Sequence, residues 1–578
     1  MKKILILFIS LITTLTYAQT EEPFPYQREW VTANPLETLV AYFSDGSSLS
    51  FGYNLGGSYD ELVPENSEFK HYVLAKISTD QELAFTLPFG DNSTALSTLN
   101  ISTDEENNFY LSGHTQQTVE IGTPGTHQPN FPVNMTLPDT LYLNETDYVV
   151  YPPRLCNKGF LVKYDVNGNK LWGTYFGGNQ EESVYRTITK NGEVVVLGRT
   201  FSNTGFATPG AYMEEPDEYL QYDNQASFIA KFDSETGNLL WATYLPSQYN
   251  ITQNITLNSL GEILIPKHYS SSTDDYIYSI LKIAADGTAI TETPPLPGMF
   301  SSYQGGFGIK LDSNDNLYIT GKTNSSENIT TPGTYKTIKT NDTEGYILKY
   351  DSSLNKLWGT YLPVEWIEEF NHLSSAGGVP HTDDNGNTNI YIIGATSESG
   401  FATQGAYQEN IAGETDLYFL KLNQDGQLNW FTYFGGPASE SSGRIFVDEN
   451  DNLHISGISK STSDILTENP LFDYPQYPIP FRFIGKFTHV KNVSHPQHDY
   501  SFRLYPNPAT EYIALESNYL FDSKTQLTVY DMQGKIVHKQ AATHANTQVI
   551  ETMSWAKGTY ILFIENEQLK KEFKFGVK

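Results

Sequence analysis

Two short apolar strands that return together along the chain constrain its fold more than any other feature. The first reads Phe160-Leu161-Val162-Lys163-Tyr164, Phe228-Ile229-Ala230-Lys231-Phe232, Ile347-Leu348-Lys349-Tyr350 and Phe419-Leu420-Lys421-Leu422. Weaker copies end at Lys76, Lys282 and Lys486, which makes seven marker lysines. The second reads Leu171-Trp172-Gly173-Thr174-Tyr175, Leu240-Trp241-Ala242-Thr243-Tyr244, Leu357-Trp358-Gly359-Thr360-Tyr361 and Asn429-Trp430-Phe431-Thr432-Tyr433. Upstream lie a strand ending in Gly-x-Thr, as at Gly198-Arg199-Thr200 and Gly321-Lys322-Thr323, and a stiff turn such as Thr208-Pro209-Gly210. One whole unit spans 183–245, with candidate strands at 183–190, 193–200, 227–234 and 238–245. Each strand is rich in aromatic and β-branched residues, and the gaps carry Gly, Pro, Asn or Asp.

A four-stranded unit of this kind has two apolar faces that it cannot bury alone. Packing units face to face around an axis buries both faces and leaves only short edges. A linear β-solenoid would need rungs of roughly 20 to 30 residues, and these units are far longer. The expected fold is therefore all-β: an about seven-bladed β-propeller over 19–493, followed by a small C-terminal β-sandwich. The unit around 252–291 lacks the Trp and the Pro-Gly turn and is the least regular.

Trp172, Trp241, Trp358 and Trp430 recur at one place in the unit, which favours wedges between blades over an aromatic sugar platform. Lys163, Lys231, Lys349 and Lys421 recur likewise, either snorkelling at a blade surface or pairing with a carboxylate. With Phe176-Gly177-Gly178 and Phe434-Gly435-Gly436 closing two units, the body resembles the seven-bladed propeller-repeat family of exported bacterial proteins. That resemblance implies a scaffold and names no reaction or ligand.

The N-terminus reads as a signal peptide, residues 1–18. Lys2 and Lys3 precede an apolar run from Ile4 to Leu15, and Thr16 and Ala18 supply the small residues of a cleavage site. The run is too short for a permanent membrane helix. With 67 Asp and Glu against 36 Lys and Arg, the formal net charge is -31. Such a surface repels nucleic acid, which is excluded as a partner. The lone Cys156 rules out an intrachain disulfide and is read as a small buried hydrophobe.

Calcium is the one cofactor the acidic turns admit. Asp165-Val166-Asn167, Asp383-Asp384-Asn385 and Asp448-Glu449-Asn450 place oxygen donors close together, with Asp383 and Asp384 the candidate pair. The competing reading is an Asx turn between strands. Ala230 to Gly237 looks like a blade repeat of quinoprotein dehydrogenases, but a single Cys excludes a vicinal pair. A glycosidase would need two carboxylates across a sugar, which sequence cannot single out among 67. No nucleophile turn or metal-spaced histidine cluster is present, so catalytic and binding residues stay unassigned. The insertions 116–156, 213–225 and 363–385 are the expected displayed loops.

After a linker at 494–501, the segment 502–578 opens a new strand pattern. It carries Tyr505-Pro506-Asn507-Pro508-Ala509, Val529-Tyr530-Asp531 with Gly534, Lys557-Gly558-Thr559-Tyr560 and a basic-aromatic end. It resembles the type A C-terminal sorting domain of proteins exported by the type IX system of Bacteroidetes, with Trp555 where a smaller aliphatic residue is usual. The resemblance implies Sec-dependent export to the periplasm, then the type IX machinery, a surface protease that removes the domain, and a secreted or outer-surface product. The expected function is binding of an extracellular glycan or protein; the alternatives are a carbohydrate-active enzyme and a structural or adhesive surface protein.

Overall fold

In the strands Phe109–Thr115, Lys158–Tyr164, Leu317–Thr323, Glu344–Tyr350 and Thr388–Thr396 every residue is buried. A sheet built from such strands must be covered on both faces, and neighbouring sheets provide the cover. The computed structural model describes residues 24–578 apart from 35–37, 54–71, 90–96, 117–120, 133–135, 143–147, 218–224, 247–249, 252–253, 271–275, 297–299, 302–307, 364–376, 384–385, 473–479, 491–501, 518–520, 522–523, 544 and 566–569. The proposed signal peptide, residues 1–18, and the linker lie outside the described residues. Two units separate, Met1–Val490 and Lys491–Lys578.

The first unit is a β-propeller with seven blade sheets and one two-stranded hairpin among the described residues. Six of the blades draw all their strands from one stretch of the chain. Blade 1 runs from the inner strand Thr38–Tyr42 to the outer Leu83–Phe89, and blade 2 from Ser97–Thr103 to Lys170–Phe176. Blade 3 runs from Glu182–Lys190 to Leu239–Leu245. Blade 5 runs from Gly308–Leu311 to Lys356–Leu362, and blade 6 from Gly377–Thr382 to Leu428–Phe434. Blade 4, the degenerate unit, frays: its inner and outer edges are broken into Asn250–Ile251, Thr256–Leu257, Ile290–Glu292 and Phe300–Ser301.

Blade 7 closes the ring. Its strands Glu440–Val447, Leu453–Ser459 and Phe481–His489 take their fourth, outer strand from the start of the chain, Tyr26–Asn34. The register sets Trp30 opposite Lys486 and Val31 opposite Gly485. Contacts between turns then run around one end of the ring. Glu449 N–H reaches Ser44 O at 3.2 Å, Ser44 N–H reaches Asn107 Oδ1 at 2.9 Å, and Thr189 Oγ1 donates to Thr103 O at 2.6 Å. Lys190 Nζ donates to Leu257 O at 3.0 Å, Ser259 N–H to Asp315 Oδ1 at 2.9 Å, and His381 meets Asp451 at 2.8 Å.

The recurring Lys and Trp form one device. They face each other across a strand pair, as Lys163 opposite Trp172, Lys231 opposite Trp241 and Lys349 opposite Trp358. Both then donate to one carbonyl in a turn of the next blade. Ser234 O accepts from Trp172 Nε1 at 2.9 Å and Lys163 Nζ at 3.2 Å. Ala285 O accepts from Trp241 at 2.9 Å and Lys231 at 3.0 Å. Gln424 O accepts from Trp358 at 2.8 Å and Lys349 at 3.4 Å. The glycine ending that turn lies flat on the indole. A Cβ on Gly237, Gly287 or Gly426 would sit 2.7, 2.5 or 2.8 Å from a ring atom, and all three have φ between +68° and +76°. Glycine is needed there for both reasons.

Ring closure explains the two irregular members. Trp30, on the strand lent by the N-terminus, takes the blade 7 position and donates to Thr79 O at 2.9 Å in blade 1. Trp430 of blade 6 should reach a turn joining the third and fourth strands of blade 7. Those strands are far apart in the chain, so no such turn exists. Trp430 Nε1 has no hydrogen-bond partner among the described residues, and its ring packs on Phe24, Tyr26 and Tyr391. Lys421 lies over the Tyr391 ring, 5.8 Å from its centroid.

The Thr-Pro-Gly segments cover the outer edges of the blades. Thr123 N–H bonds Gly173 O at 2.8 Å, Thr208 N–H bonds Ala242 O at 2.9 Å, and Thr331 N–H bonds Gly359 O at 2.9 Å. This blunts edges that would otherwise pair with other chains. It also corrects one expectation: of the insertion 116–156, residues 121–128 are an outer-edge cover and not a displayed loop. The remainder includes a separate hairpin, Thr136–Tyr142 with Tyr148–Leu155.

The second unit has two sheets, one of Phe502–Tyr505, Tyr512–Ser517 and Thr547–Glu551, the other of Gln526–Asp531, Ile536–Ala541, Gly558–Glu565 and Lys570–Val577. Ile513, Leu515, Leu527, Val529, Leu562 and Ile564 form its core.

Candidate functional site

The first strands of adjacent blades contact one another and wall a central channel. Several of them bulge. Register shifts fall between Val184 and Arg186 in blade 3 and between Ser441 and Arg444 in blade 7. A bulge bends the strand and re-aims the side chain that follows it. Here that side chain is an arginine in both blades. Arg186 and Arg444 stand at equivalent levels, opposite Leu197 and Ser456, the residues preceding Gly198 and Gly457. Lys310, on the inner strand of blade 5, stands two residues further along, opposite Tyr318.

All three stand on inner strands, those of blades 3, 5 and 7, and their charges act on one another. Solvent reaches Lys310 and Arg444, yet protein surrounds both, as expected in a lumen. Burial in the ring, then the charges of Arg186 and Arg444, bring the Lys310 ammonium down to about 8. Burial, then the Arg444 charge, lowers Arg186. Arg186 Nε is buried and has no hydrogen-bond partner among the described residues. Beside Arg444, Tyr42 of blade 1 stacks on Phe446 of blade 7 with centroids 5.4 Å apart and rings 9° from parallel.

A second ionisable pair shows how one fold position takes two chemistries. Lys158 starts the third strand of blade 2 opposite Thr115, and Glu182 starts blade 3 opposite Thr200. Lys158 Nζ lies 2.9 Å from Glu182 Oε2 and also donates to Gly178 O and Gln180 O. The equivalent residues between blades 6 and 7 are Asp416 and Glu440, both carboxylates and both buried. A Cβ on Gly435 would be 2.5 Å from Asp416 Oδ1 and 2.5 Å from Glu440 Oε2, so the two meet across this glycine. Asp416 accepts from Gln408 Nε2 and from Ala412 and Gly413 N–H; Glu440 accepts from Ser459, Ser461 and Gly436 N–H. Burial, with Asp416 adding, nevertheless raises Glu440 to about 7.

A carboxyl raised on folding binds its proton more tightly in the folded chain. Its contribution is intact below about 4.5, the ordinary value, and is lost as pH rises to about 7. The loss amounts to about 3 kcal/mol at most. Glu440→Gln is expected to remove that part of the pH dependence and to stabilise the body at pH 8 relative to wild type. Urea midpoints at pH 5 and pH 8 measure this, and an unchanged pH slope in the variant would disprove the assignment.

The residues singled out from sequence lie elsewhere. Lys163, Lys231 and Lys349 with Trp172, Trp241 and Trp358 hold neighbouring blades together, away from the channel. Asp383 sits in a five-residue turn in which its Oδ1 accepts Asn387 N–H at 2.9 Å, and Asp384 lies outside the described residues. The same turn recurs at Asp104, Asp165, Asp312, Asp351 and Asp448, each accepting the N–H four residues on. Among the described residues no three His, Cys, Asp or Glu gather as a metal site. Cys156 is buried.

In the C-terminal unit, Tyr505-Pro506-Asn507-Pro508-Ala509 holds the chain end. Asn507 Oδ1 accepts Gly576 N–H at 3.0 Å, Ala509 N–H bonds Gly576 O at 2.7 Å, and Lys578 N–H bonds Ala509 O at 2.9 Å. Gly534 takes φ +80° in the turn after Asp531. Gly558 opens the strand opposite Val577, and Tyr560 donates to Ala556 O at 2.7 Å while packing on Trp555 and Phe575.

The cationic trio was not singled out from sequence, because no motif joins residues 186, 310 and 444. Aligning the first strands of the units would have placed Arg186 and Arg444 in one column. Only the ring brings that column to an axis.

No curated protein sequence matches the chain. Among solved structures, the body is similar to the β-propeller domain of the Trilobed protease from Pyrococcus furiosus, at 10% identity over 68% of this chain and 93% of that one, with a TM-score of 0.29. A protein of unknown function from Dyadobacter fermentans is similar at 10% identity, over 69% and 96% of the two chains, with a TM-score of 0.29. The phage phi92 endosialidase is similar at 11% identity, over 96% and 86%, with a TM-score of 0.31. Residues 503–578 match the family described as the secretion system C-terminal sorting domain. That domain marks the chain for type IX export to the cell surface or beyond it.

Proposed function

We propose that the propeller is a secreted or surface-displayed binding module for an extracellular polymer or protein, with the C-terminal domain serving as its address. The observation that carries this reading is the channel wall, where inner strands carry Arg186, Lys310 and Arg444 beside a half-buried stacked aromatic pair inside a rigid frame. Binding sites favour such concave places with few, well-placed polar groups. A glycosidase would need two carboxylates across a sugar. The pair that the fold does join, Asp416 and Glu440, is buried and out of a substrate's reach.

The test is retention and turnover of a glycan and protein panel by the full chain. Saturable binding without product supports the module; product formation abolished by one carboxylate substitution at the channel would replace it with an enzyme. The remaining export steps are also proposals: Sec-dependent passage, removal of 502–578 by a surface protease, then release or anchoring. Mass spectrometry of cells and culture fluid should find product lacking both ends, and an intact C-terminus on the surface product would refute them. Calcium at Asp383 and Asp384 is a proposal of narrower reach, which an unchanged melting temperature in millimolar Ca2+ would remove.

A further inference from the structure

Like charges brought close together repel one another unless a counter-ion compensates them. This chain has 67 carboxylates against 36 Lys and Arg, so partners are abundant in principle. Several buried lysines do find them: Lys158 has Glu182, Lys231 has Glu193 at 2.6 Å, and Lys267 has Glu292 at 2.8 Å. Arg186 and Lys310 have no carboxylate partner among the described residues. The charges felt at Lys310 are those of Arg186 and Arg444, and all three come from different blades. Bulges precede both arginines; the same shift recurs in the inner strands of blades 1 and 2, so the arginines occupy a bend that belongs to the scaffold.

We propose that Arg186, Lys310 and Arg444 form an oxyanion site in the propeller channel, which takes a carboxylate or sulfate group of an acidic saccharide.

This inference rests on the binding reading and narrows it. Guanidinium groups match the geometry of carboxylate and sulfate oxygens, and an ammonium adds a point charge. The Tyr42–Phe446 pair offers an aromatic surface beside Arg444 on which the apolar face of a sugar ring can rest. A net charge of -31 repels polyanions from the rest of the surface, so an anion that binds must find a local positive site.

The experiment uses the full chain and measures protection from thermal unfolding by inorganic sulfate, then binding of polygalacturonate, dextran sulfate, poly-glutamate and neutral dextran by calorimetry. The wild type should bind sulfate saturably and prefer an acidic polysaccharide to neutral dextran. Lys310→Gln and Arg186→Gln should each weaken this by at least about tenfold, the loss of one charge-assisted bond. Lys310→Arg, which keeps the charge, should stay near wild type, and unchanged circular dichroism will show that the variants fold. The two acidic polysaccharides separate a carboxylate ligand from a sulfate ligand. Binding of neutral and acidic polymers alike, indifferent to these variants, would overturn the site and leave the binding module standing. No saturable binding of any probe would overturn both. Preference for poly-glutamate over both acidic polysaccharides would overturn the saccharide assignment.

Discussion

Deletion of residues 24–34, with residues 1–23 kept, is expected to leave a body that does not fold. The strand Tyr26–Asn34 completes blade 7, and Phe24, Tyr26, Trp30, Val31 and Ala33 are all buried there. Burial of one large apolar side chain stabilises by about 1.5 to 3 kcal/mol, so this group together rivals the whole stability of an ordinary domain, about 5 to 15 kcal/mol. Deletion would also bare the Phe481–His489 edge and the Trp430 ring, a template for pairing with other chains. Size-exclusion chromatography and circular dichroism should show aggregate or unfolded protein. A monomeric, cooperatively melting deletion product would contradict the closure described for blade 7.

Trp358→Ala is expected to destabilise the body by about 3 to 5 kcal/mol, the range for emptying a large aromatic site. The indole lies between the Lys349 side of its own blade and the Gly426 turn of the next, so its loss loosens a blade contact and leaves Gln424 O with the longer lysine bond alone. The aromatic-preserving change separates packing from hydrogen bonding. Trp358→Phe should cost more than Trp430→Phe, because Trp358 Nε1 has an acceptor and Trp430 Nε1 has none among the described residues. Urea midpoints of the two variants decide this, and equal losses would show that the Nε1 bond contributes nothing.

Much of the scaffold was legible locally. The unit 183–245 is blade 3 almost residue for residue, since its strand propensities and Asn, Asp and Gly turns act within a few neighbours. The degenerate unit near 252–291 is also the frayed sheet, because it lacks the indole and the Pro-Gly cover that finish an outer edge. The strand lent by Tyr26–Asn34 was not legible. Its partner lies more than 400 residues away, and nothing local states that the last unit is one strand short.

The sequence by itself determined the repeated four-stranded unit, the all-β class and the C-terminal address, since each is written in short-range pattern. Tertiary structure alone decided which strand closes the ring, why Trp430 lacks the acceptor its counterparts have, and why Asp416 and Glu440 meet where Lys158 and Glu182 form an ion pair. It also decided that Arg186, Lys310 and Arg444 share one channel. The physical reason is the same throughout: strand propensity and turn chemistry are local, whereas burial and charge proximity depend on which blades the closed ring makes neighbours.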